Sequence, residues 1–321
     1  MIPALVLTAG LATRLRPLSL VRAKAALPVA GQPLARRILR SLAAAGVTDA
    51  VLNLHHLPHT LTACVGDGAD LGLRVRYSWE APAVLGSAGG VRRALSLLGT
   101  PRFLILNGDT LTDADVVALL ARHADTGALV TMAVIPNVEP DKYGGVLVDG
   151  NGIVTGFVAR GSRERSYHFI GLQAAEATAF ATLPDNTPYE SVTGLYPALM
   201  RDAPGSVRAL VVQAQFLDIG TPADYMAASR RLSAIEGLDR DAGRSTRIAP
   251  DARVEGSVLW DDVEVGPGAS LRECIVTDRV HVPPGTSWQG VSMRLADGAL
   301  APGETQIGRL AVVPIRSHDS P

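Results

Sequence analysis

The sequence predicts an α/β fold with a doubly wound, mostly parallel sheet, followed by a short parallel β-helix. Over the first two-thirds of the 321 residues, short apolar stretches alternate with segments of helical periodicity, which is typical of parallel strands joined by helical crossovers. The last part instead repeats every seventeen residues, at Ile248-Ala-Pro-Asp-Ala, Val265-Gly-Pro-Gly-Ala and Val282-Pro-Pro-Gly-Thr. An aliphatic residue and a turn in each copy predict one triangular coil of a β-helix per repeat.

The alternation of strands and helices can be followed along the chain. The predicted strands are residues 5–7, 50–54, 74–79, 102–106 and 128–135. The predicted helices are residues 34–45, 60–65, 90–98 and 113–123, of which the first should end at Gly46. Beyond residue 140, the sequence Asp149-Gly150-Asn151-Gly152 lies between two apolar runs, which indicates an inserted hairpin.

These patterns divide the chain into three parts. Residues 1–232 form the predicted α/β domain, residues 233–247 a linker rich in charge and glycine, and residues 248–316 the β-helix tail. Three coils are few for a solenoid that must bury its own core. We therefore expect the tail to pack on the main domain or on another subunit, and the protein to be a homo-oligomer that assembles through the tail.

Composition excludes several classes of protein. The net charge of −1 provides no field that would hold the chain on nucleic acid or on an anionic membrane. Cys64 and Cys274 are far apart, without the spacing of a zinc site or a disulfide framework. No apolar run approaches the roughly 18 residues of a membrane span, and no leader segment is evident, so we expect a cytoplasmic protein.

The most informative segment is the basic loop, residues 10–24, which follows the first predicted strand. It begins with a small-residue turn and carries four cations and no acid. Small residues let backbone N–H groups approach an anion, while Arg14 and Lys24 add charge. A surface loop with solvated cations is the alternative. Because ligands of parallel sheets bind at the carboxyl ends of the strands, phosphate binding is favoured here.

Two aspartates follow apolar stretches and are candidates for a metal site. Asp109 comes directly after the strand 102–106, and Asp218 ends the stretch 210–217. A carboxylate near a polyphosphate requires a cation between them, and Mg²⁺ is the hard ion usually held by one or two carboxylates and phosphate oxygens. Each aspartate alone could equally form a turn or a helix cap, as expected for Asp113 and Asp224, which both fit helix starts.

Together these residues resemble the sugar-1-phosphate nucleotidylyltransferases, also called nucleotide-sugar pyrophosphorylases, and in particular mannose-1-phosphate guanylyltransferase-like members. Six ordered motifs carry the resemblance. They are residues 7–18 with Lys24, Val84 to Gly90, Asn107-Gly108-Asp109, Lys142 to Val146, Phe157 to Arg160, and Asp218 to Pro222. The resemblance implies a nucleotidyltransferase fold with a Rossmann-like sheet and a left-handed, hexapeptide-type β-helix.

The resemblance also implies a role for each matching residue. The implied catalytic residues are Arg14, Lys24, Asp109 and Asp218, of which Asp109 and Asp218 would hold Mg²⁺. The implied nucleotide-binding residues are Leu7, Ala9, Gly10, Thr13, Arg14, Gly86, Ser87 and Asn107. The implied sugar-phosphate-binding residues are Gly144, Gly145, Arg160, Gly171 and Glu190.

The implied partners are a nucleoside triphosphate and a sugar 1-phosphate. The phosphate oxygen of the sugar 1-phosphate would attack the α-phosphorus in line and release pyrophosphate. GTP with mannose 1-phosphate or a heptose 1-phosphate is the leading hypothesis, and uridylyl or thymidylyl transfer is an alternative.

Three positions depart from the family pattern. Ala12 stands where glycine is usual, Ala159-Arg160 where Glu-Lys is usual, and His168-Phe169-Ile170 replaces a run with a common asparagine. An added methyl group at residue 12 restricts a positive φ, and His168 could replace a hydrogen bond to the sugar. Ala12 and Arg160 keep open a second hypothesis, a catalytically weak regulatory homologue that binds nucleotide-sugar. The pair His55-His56 has poor ligand spacing and is interpreted as structural.

Overall fold

The computed structural model describes residues 2–239 and 241–315. Met1 and Arg316, the predicted first residue of the main domain and last residue of the tail, lie outside this range, as does Arg240 in the predicted linker. In the described part of the chain the helices are α1 (Leu34–Ala44), α2 (Pro58–Val65), α3 (Gly86–Leu98), α4 (Val116–Thr126), α5 (Thr178–Ala181), α6 (Tyr196–Asp202) and α7 (Pro222–Ile235).

The strands before the tail are β1 (Ala4–Leu7), β2 (Pro28–Val29), β3 (Gln32–Pro33), β4 (Asp49–Leu54), β5 (Arg74–Trp79), β6 (Arg102–Asn107), β7 (Thr110–Thr112), β8 (Val130–Pro136), β9 (Gly145–Val148), β10 (Val154–Val158), β11 (Tyr167–Glu176), β12 (Val207–Val211) and β13 (Phe216–Asp218). Those of the tail are β14 (Asp241–Ala242), β15 (Arg247–Ile248), β16 (Arg253–Glu255), β17 (Val258–Leu259), β18 (Glu264–Val265), β19 (Ser270–Arg272), β20 (Ile275–Val276), β21 (His281–Val282), β22 (Ser287–Gln289), β23 (Val291–Leu295), β24 (Thr305–Ile307) and β25 (Leu310–Pro314).

The predicted strands and helices of the main domain are all present, but two helix starts were wrong. Helix α3 begins at Gly86, four residues before the predicted start at Gly90. Helix α4 begins at Val116 because Asp115 caps it, accepting hydrogen bonds from the amides of residues 117 and 118 at 2.8 and 3.0 Å. Asp113 is therefore no helix cap.

The side chain of Asp113 instead accepts a hydrogen bond from the Gln215 amide at 2.6 Å. Asp224 does belong to a helix start, as predicted. Its amide donates to the Thr221 hydroxyl at 3.1 Å, which caps α7.

The chain forms two compact units that do not follow the order of the sequence. The first comprises the residues up to Gly10, 36–58 and 65–217. The second comprises residues 11–35, 59–64 and the chain from Asp218 onward. Most of the basic loop is therefore part of the same unit as the tail.

A nine-stranded sheet is the centre of the first unit. Its strand order is β10-β9-β11-β6-β1-β4-β5, and β8 pairs with β11 and β12. The pairs β1–β4, β1–β6, β4–β5 and β8–β12 are parallel, so the parallel core predicted from the sequence is confirmed. Strand β11 runs antiparallel to β6 and β8. The buried core includes Leu5, Val51, Phe103 and Ile105, whose continuous apolar runs suit strands that are covered on both faces.

The tail in the second unit consists of three sheets of short, mainly parallel strands. Residues 241, 258 and 275 lie side by side, and so do 247, 264 and 281, which confirms the seventeen-residue coil. The coil interior is apolar, with Val263, Leu271 and Val280 among its buried side chains.

The ends of the tail differ from a simple repeat. Strand β14, which lies inside the segment predicted as a linker, pairs with β17. At the other end, β24 and β25 form an antiparallel hairpin on β23 instead of a further coil.

Candidate active site

The candidate site residues are divided between the two units. The first unit contains Leu7, Ala9, Gly10, Gly86, Ser87, Asn107, Asp109, Gly144, Gly145, Arg160, Gly171 and Glu190, and the second contains Thr13, Arg14, Lys24 and Asp218.

In the first unit, three of these residues meet at the ends of neighbouring strands. Leu7 and Asn107 are paired residues of the parallel strands β1 and β6. The Gly108 amide donates to the Leu7 carbonyl at 2.9 Å. Gly171 has a φ of +78°, and a Cβ there would lie 2.8 Å from the Asn107 Cβ. A side chain at residue 171 is thus excluded both by its backbone conformation and by the close approach of Asn107.

At the start of α3, two residues with a predicted role in nucleotide binding contact Glu190, which is a predicted sugar-phosphate-binding residue. The Ser87 hydroxyl donates to a Glu190 carboxylate oxygen at 2.6 Å, and the amides of residues 88 and 89 donate to the Tyr189 carbonyl. A Cβ on Gly86 would lie 2.7 Å from the other Glu190 oxygen. The Glu190 carboxylate is favourably placed because the amino end of a helix carries partial positive charge.

A buried polar network that was not predicted from the sequence supports this region. The side-chain oxygen of Asn53 accepts a hydrogen bond from the Thr8 backbone N–H. The side-chain nitrogen of Asn53 donates a hydrogen bond to a Glu80 carboxylate oxygen at 2.7 Å. The second Glu80 oxygen accepts from the Leu85 amide at 2.7 Å. Thr8, Asn53 and Glu80 are at most 6% exposed. A polar residue inside the apolar strand 50–54 was the available signal.

The inserted hairpin brings the predicted sugar-phosphate residues Gly144 and Gly145 next to β10. Gly145 pairs with Val158 across the hairpin, and a Cβ on Gly145 would lie 2.2 Å from the Ser166 hydroxyl. A Cβ on Gly144 would be 3.1 Å from the Val158 carbonyl. Arg160 follows β10 and is exposed. The backbone at residues 144 and 145 is therefore closely packed, while the Arg160 guanidinium is accessible to an anion.

An aromatic cluster adjoins this hairpin. The His168 ring lies 4.2 Å from the Tyr143 ring and 4.8 Å from the Phe216 ring, measured between centroids. Burial, and to a smaller extent the charge of Lys142, lower the pKa of His168 to about 4, although the nearby Gly144 backbone opposes the shift. His168 is therefore neutral near pH 7.

The pKa of His168 predicts a pH-dependent stability. Between pH 7 and pH 5 the unfolded chain binds a proton at this imidazole and the folded chain does not, so stability should fall by about 2 kcal/mol as the pH drops. Urea unfolding at both pH values checks this. His168→Asn should lose about that much of the pH dependence, whereas other groups contribute equally in both proteins. Identical pH dependence in the two proteins would contradict the prediction.

In the second unit, the basic loop turns sharply at Ala12. Its φ is +48° and its ψ is +45°, a left-handed conformation in which residues other than glycine are strained. The Ala12 carbonyl accepts hydrogen bonds from the Leu15 amide at 3.0 Å and the buried Ser19 hydroxyl at 2.9 Å. The alanine thus adopts the positive φ that the glycine pattern suggested. Thr13 and Arg14 are exposed directly after this turn.

The strain at Ala12 leads to a stability prediction. Ala12→Gly should raise the free energy of unfolding by about 0.5 kcal/mol, because relief of the left-handed strain exceeds the added entropy of the unfolded chain. Chemical denaturation measures the change. Ala23→Gly in the same segment, where φ is −55°, should instead lower the stability. Lower stability of Ala12→Gly would contradict the assignment of strain.

Asp218 and the other candidate ligand, Asp109, offer carboxylate oxygens. Within the second unit, a Cβ on Gly220 would lie 3.1 Å from an Asp218 oxygen and 3.3 Å from an Asp224 oxygen, so both carboxylates approach this glycine. In the described part of the chain no group of three or more His, Cys, Asp and Glu side chains could hold a metal. One or two carboxylates suffice for Mg²⁺, which takes its remaining oxygen ligands from phosphates and water.

Residues 3–234 match the family described as nucleotidyl transferase, and residues 242–292 match the GlmU-like C-terminal hexapeptide family. A mannose-1-phosphate guanylyltransferase from Mycobacterium tuberculosis is 29% identical over 298 residues, 84% of this chain and 83% of that protein.

Two further similarities are informative. An N-acetylmuramate alpha-1-phosphate uridylyltransferase from Neisseria meningitidis is 43% identical over 115 residues, 36% of this chain and 50% of that protein. The crystal structure of HddC from Yersinia pseudotuberculosis superimposes with a TM-score of 0.64 at 22% identity, covering 72% of this chain and all of HddC. That similarity confirms the nucleotidyltransferase fold. The chain belongs to the nucleotidyl transferase family, as a sugar-1-phosphate nucleotidyltransferase with a hexapeptide-repeat tail.

Proposed function

We propose that the protein transfers a nucleotidyl group from GTP to mannose 1-phosphate or a heptose 1-phosphate and releases pyrophosphate. The observation that carries the proposal is the family match over residues 3–234, within which the basic loop and both aspartates are retained. The guanylyltransferase relative, which aligns with 84% of the chain, favours guanine and mannose.

None of the helices in the described part of the chain has the length and apolar character that crossing a bilayer requires.

In this proposal the cations bind the phosphates. Arg14 binds the triphosphate through its guanidinium, which can donate two hydrogen bonds to one phosphate group. Lys24 acts as a point charge on the phosphates of both substrates. Asp109 and Asp218 hold Mg²⁺, which, when bound, neutralises charge on the triphosphate. No protein base is required because the attacking phosphate is already ionised near neutral pH.

The remaining candidate residues orient the two substrates. Leu7, Ala9, Gly10, Thr13, Gly86, Ser87 and Asn107 contact the nucleotide, and Gly144, Gly145, Arg160, Gly171 and Glu190 contact the sugar phosphate. Glu190 is an acceptor only, so it binds sugar hydroxyls, and Arg160 binds the phosphate. Catalysis then consists of holding the attacking oxygen in line with the α-phosphorus and neutralising charge at the reacting phosphorus.

A second candidate function is uridylyl transfer to N-acetylmuramate 1-phosphate. The observation that favours it is the 43% identity to the uridylyltransferase from Neisseria meningitidis, which exceeds the 29% identity to the guanylyltransferase although it covers a shorter segment. Uracil and guanine differ in size and in the hydrogen-bond donors and acceptors along their edges. A substrate panel therefore separates the two candidates.

The experiment is a matrix of nucleoside triphosphates against sugar 1-phosphates in the presence of Mg²⁺, with pyrophosphate release as the measurement. We expect the highest kcat/KM for GTP with mannose 1-phosphate or a heptose 1-phosphate. A maximum for UTP with N-acetylmuramate 1-phosphate would establish the second candidate. Release from no pair would overturn the enzymatic proposal and favour a nucleotide-sugar-binding regulator.

We propose a cytoplasmic homo-oligomer in which the tail contributes to the subunit contacts, and a protein that does not act on nucleic acid or membranes. Short coils with exposed strand edges provide such contacts readily. Light scattering of the purified chain measures the subunit number.

A further inference from the structure

The coil repeat stacks charged residues at one corner of the tail. Arg244, Asp261 and Asp278 are seventeen residues apart, the register of one coil. The Asp261 amide donates to an Asp278 carboxylate oxygen at 3.1 Å, so the two acids are adjacent. Both acids lie in turns of neighbouring coils, and like charges this close together repel each other. A cation that contacts both carboxylates therefore stabilises this corner, in addition to Arg244, which pairs with Asp261 at 3.2 Å.

Arg22, in the basic loop, supplies this cation. Its Nε and Nη2 donate to the two Asp278 carboxylate oxygens at 2.7 and 2.6 Å, and Nη2 also donates to Asp261 at 2.8 Å. The side chains of Arg22, Asp261 and Asp278 are only 13–15% exposed. Burial by itself would lower the pKa of Arg22, but hydrogen bonds and charge from Asp278 and Asp261 hold it above its usual range. This two-point geometry fixes the guanidinium plane.

Aromatic side chains extend the same contact. The Arg22 guanidinium carbon lies 5.4 Å from the centroid of the Trp260 ring, within the range of a cation–π interaction. The Trp260 indole donates to the Tyr225 hydroxyl at 2.8 Å, and that hydroxyl donates to the Pro28 carbonyl. Trp260 and Tyr225 are fully buried. Pro28, six residues after Arg22, is thus a second residue that is bound by α7 and, through Tyr225, by the tail.

A third attachment lies a few residues further along. The Ala30 amide donates to the Ser229 hydroxyl at 2.8 Å, and the Gly31 amide donates to an Asp241 carboxylate oxygen at 3.1 Å. Ser229 in turn donates to Asp241. Ser229 belongs to α7 and Asp241 to the first tail strand. The segment 22–31 is therefore attached to C-terminal residues at both of its ends and near its middle.

Lys24 lies inside this attached segment, two residues after Arg22 and four before Pro28. We propose that the tail positions Lys24 for phosphate binding and that Arg22 is the positioning residue, acting through Asp278 and Asp261. The inference rests on the proposed role of Lys24 in the nucleotidyl transfer. It makes the β-helix a working part of the triphosphate site in addition to an assembly module.

The test compares Asp278→Asn with the unsubstituted protein. The amide side chain keeps the shape of the corner but removes one charge from the two-point contact with Arg22. We expect amide hydrogen exchange in residues 22–31 to accelerate about tenfold and the KM for the triphosphate to rise about tenfold, with kcat little changed. Arg22→Lys retains the charge but cannot make the two-point contact with Asp278. It should therefore give intermediate increases in hydrogen exchange and in KM.

The matched control is Glu273→Gln. It removes a carboxylate that pairs with Arg230 at 3.2 Å in the same unit, and it should alter neither measurement. The proposal is overturned if Asp278→Asn behaves like this control, or if exchange accelerates evenly over the whole second unit. It is also overturned if exchange rises locally while the KM is unchanged.

Failure of the proposed function is distinguishable from failure of this inference. If the wild-type protein releases no pyrophosphate, calorimetric titration with GTP and with UTP replaces the KM measurement. Hydrogen exchange still reports the attachment of residues 22–31. Weaker triphosphate binding by Asp278→Asn than by Glu273→Gln would support the inference, and equal binding would overturn it.

Discussion

Asp109→Asn should reduce kcat/KM for pyrophosphate release by about 10³-fold, since charge stabilisation at a reacting phosphorus accounts for effects of this size. The substitution replaces a carboxylate by an amide of the same shape at the residue after the Asn107-Gly108 turn, where β6 has just ended. It therefore removes a candidate Mg²⁺ ligand and little packing. Steady-state pyrophosphate release at saturating Mg²⁺ measures the loss.

Asp113→Asn provides the matched control for this prediction. Asp113 accepts one hydrogen bond from the Gln215 amide, which an asparagine oxygen can also accept. Near-normal activity in Asp113→Asn, together with unchanged thermal unfolding of both variants, would assign the loss to the Asp109 charge. Full activity of Asp109→Asn would mean that the metal site is misassigned.

Asn53→Leu should have the largest effect on stability, a loss of about 3 kcal/mol or more in the free energy of unfolding. Leucine is of similar size but cannot accept from the Thr8 amide or donate to Glu80. Both groups would remain buried without their partner in the first unit. Chemical denaturation measures the loss.

A double-mutant cycle provides the control for Asn53. Glu80→Met also removes the buried carboxylate, so the pair Asn53→Leu with Glu80→Met should lose less stability than the sum of the single changes. The Leu85 amide would still lack its acceptor in both proteins that carry Glu80→Met. Strict additivity would contradict the network.

The sequence was sufficient where local pattern determines structure. The apolar runs 102–106 and 128–135 became β6 and β8, and the seventeen-residue repeat determined the pairing of residues 248, 265 and 282. Both features depend on periodicity within a short window, which a single sequence contains. The boundaries of α3 and α4 depend on caps, and one cap came from residue 189, far away in the chain.

The parts of the candidate site that sequence could not predict depend on long-range pairs. Glu190 and Ser87 are 103 residues apart, and Asn53 and Glu80 meet only because β4 and β5 are adjacent. Nothing near Arg22 in the sequence indicates Asp278, because the acid belongs to a repeat with its own periodicity. Single motifs predicted the residue types, whereas their partners depend on topology.

The contact between Arg22 and Asp278, which spans 256 residues, also has a consequence for the order of folding during synthesis. A ribosome that adds about 5–20 residues per second needs roughly 10–50 s to progress from Arg22 to Asp278. Until then the Arg22 guanidinium of the basic loop lacks the Asp278 carboxylate, although the strands of the first sheet have already been synthesised. The segment made almost first is therefore completed almost last, and a nascent chain that ends before residue 278 has no finished loop.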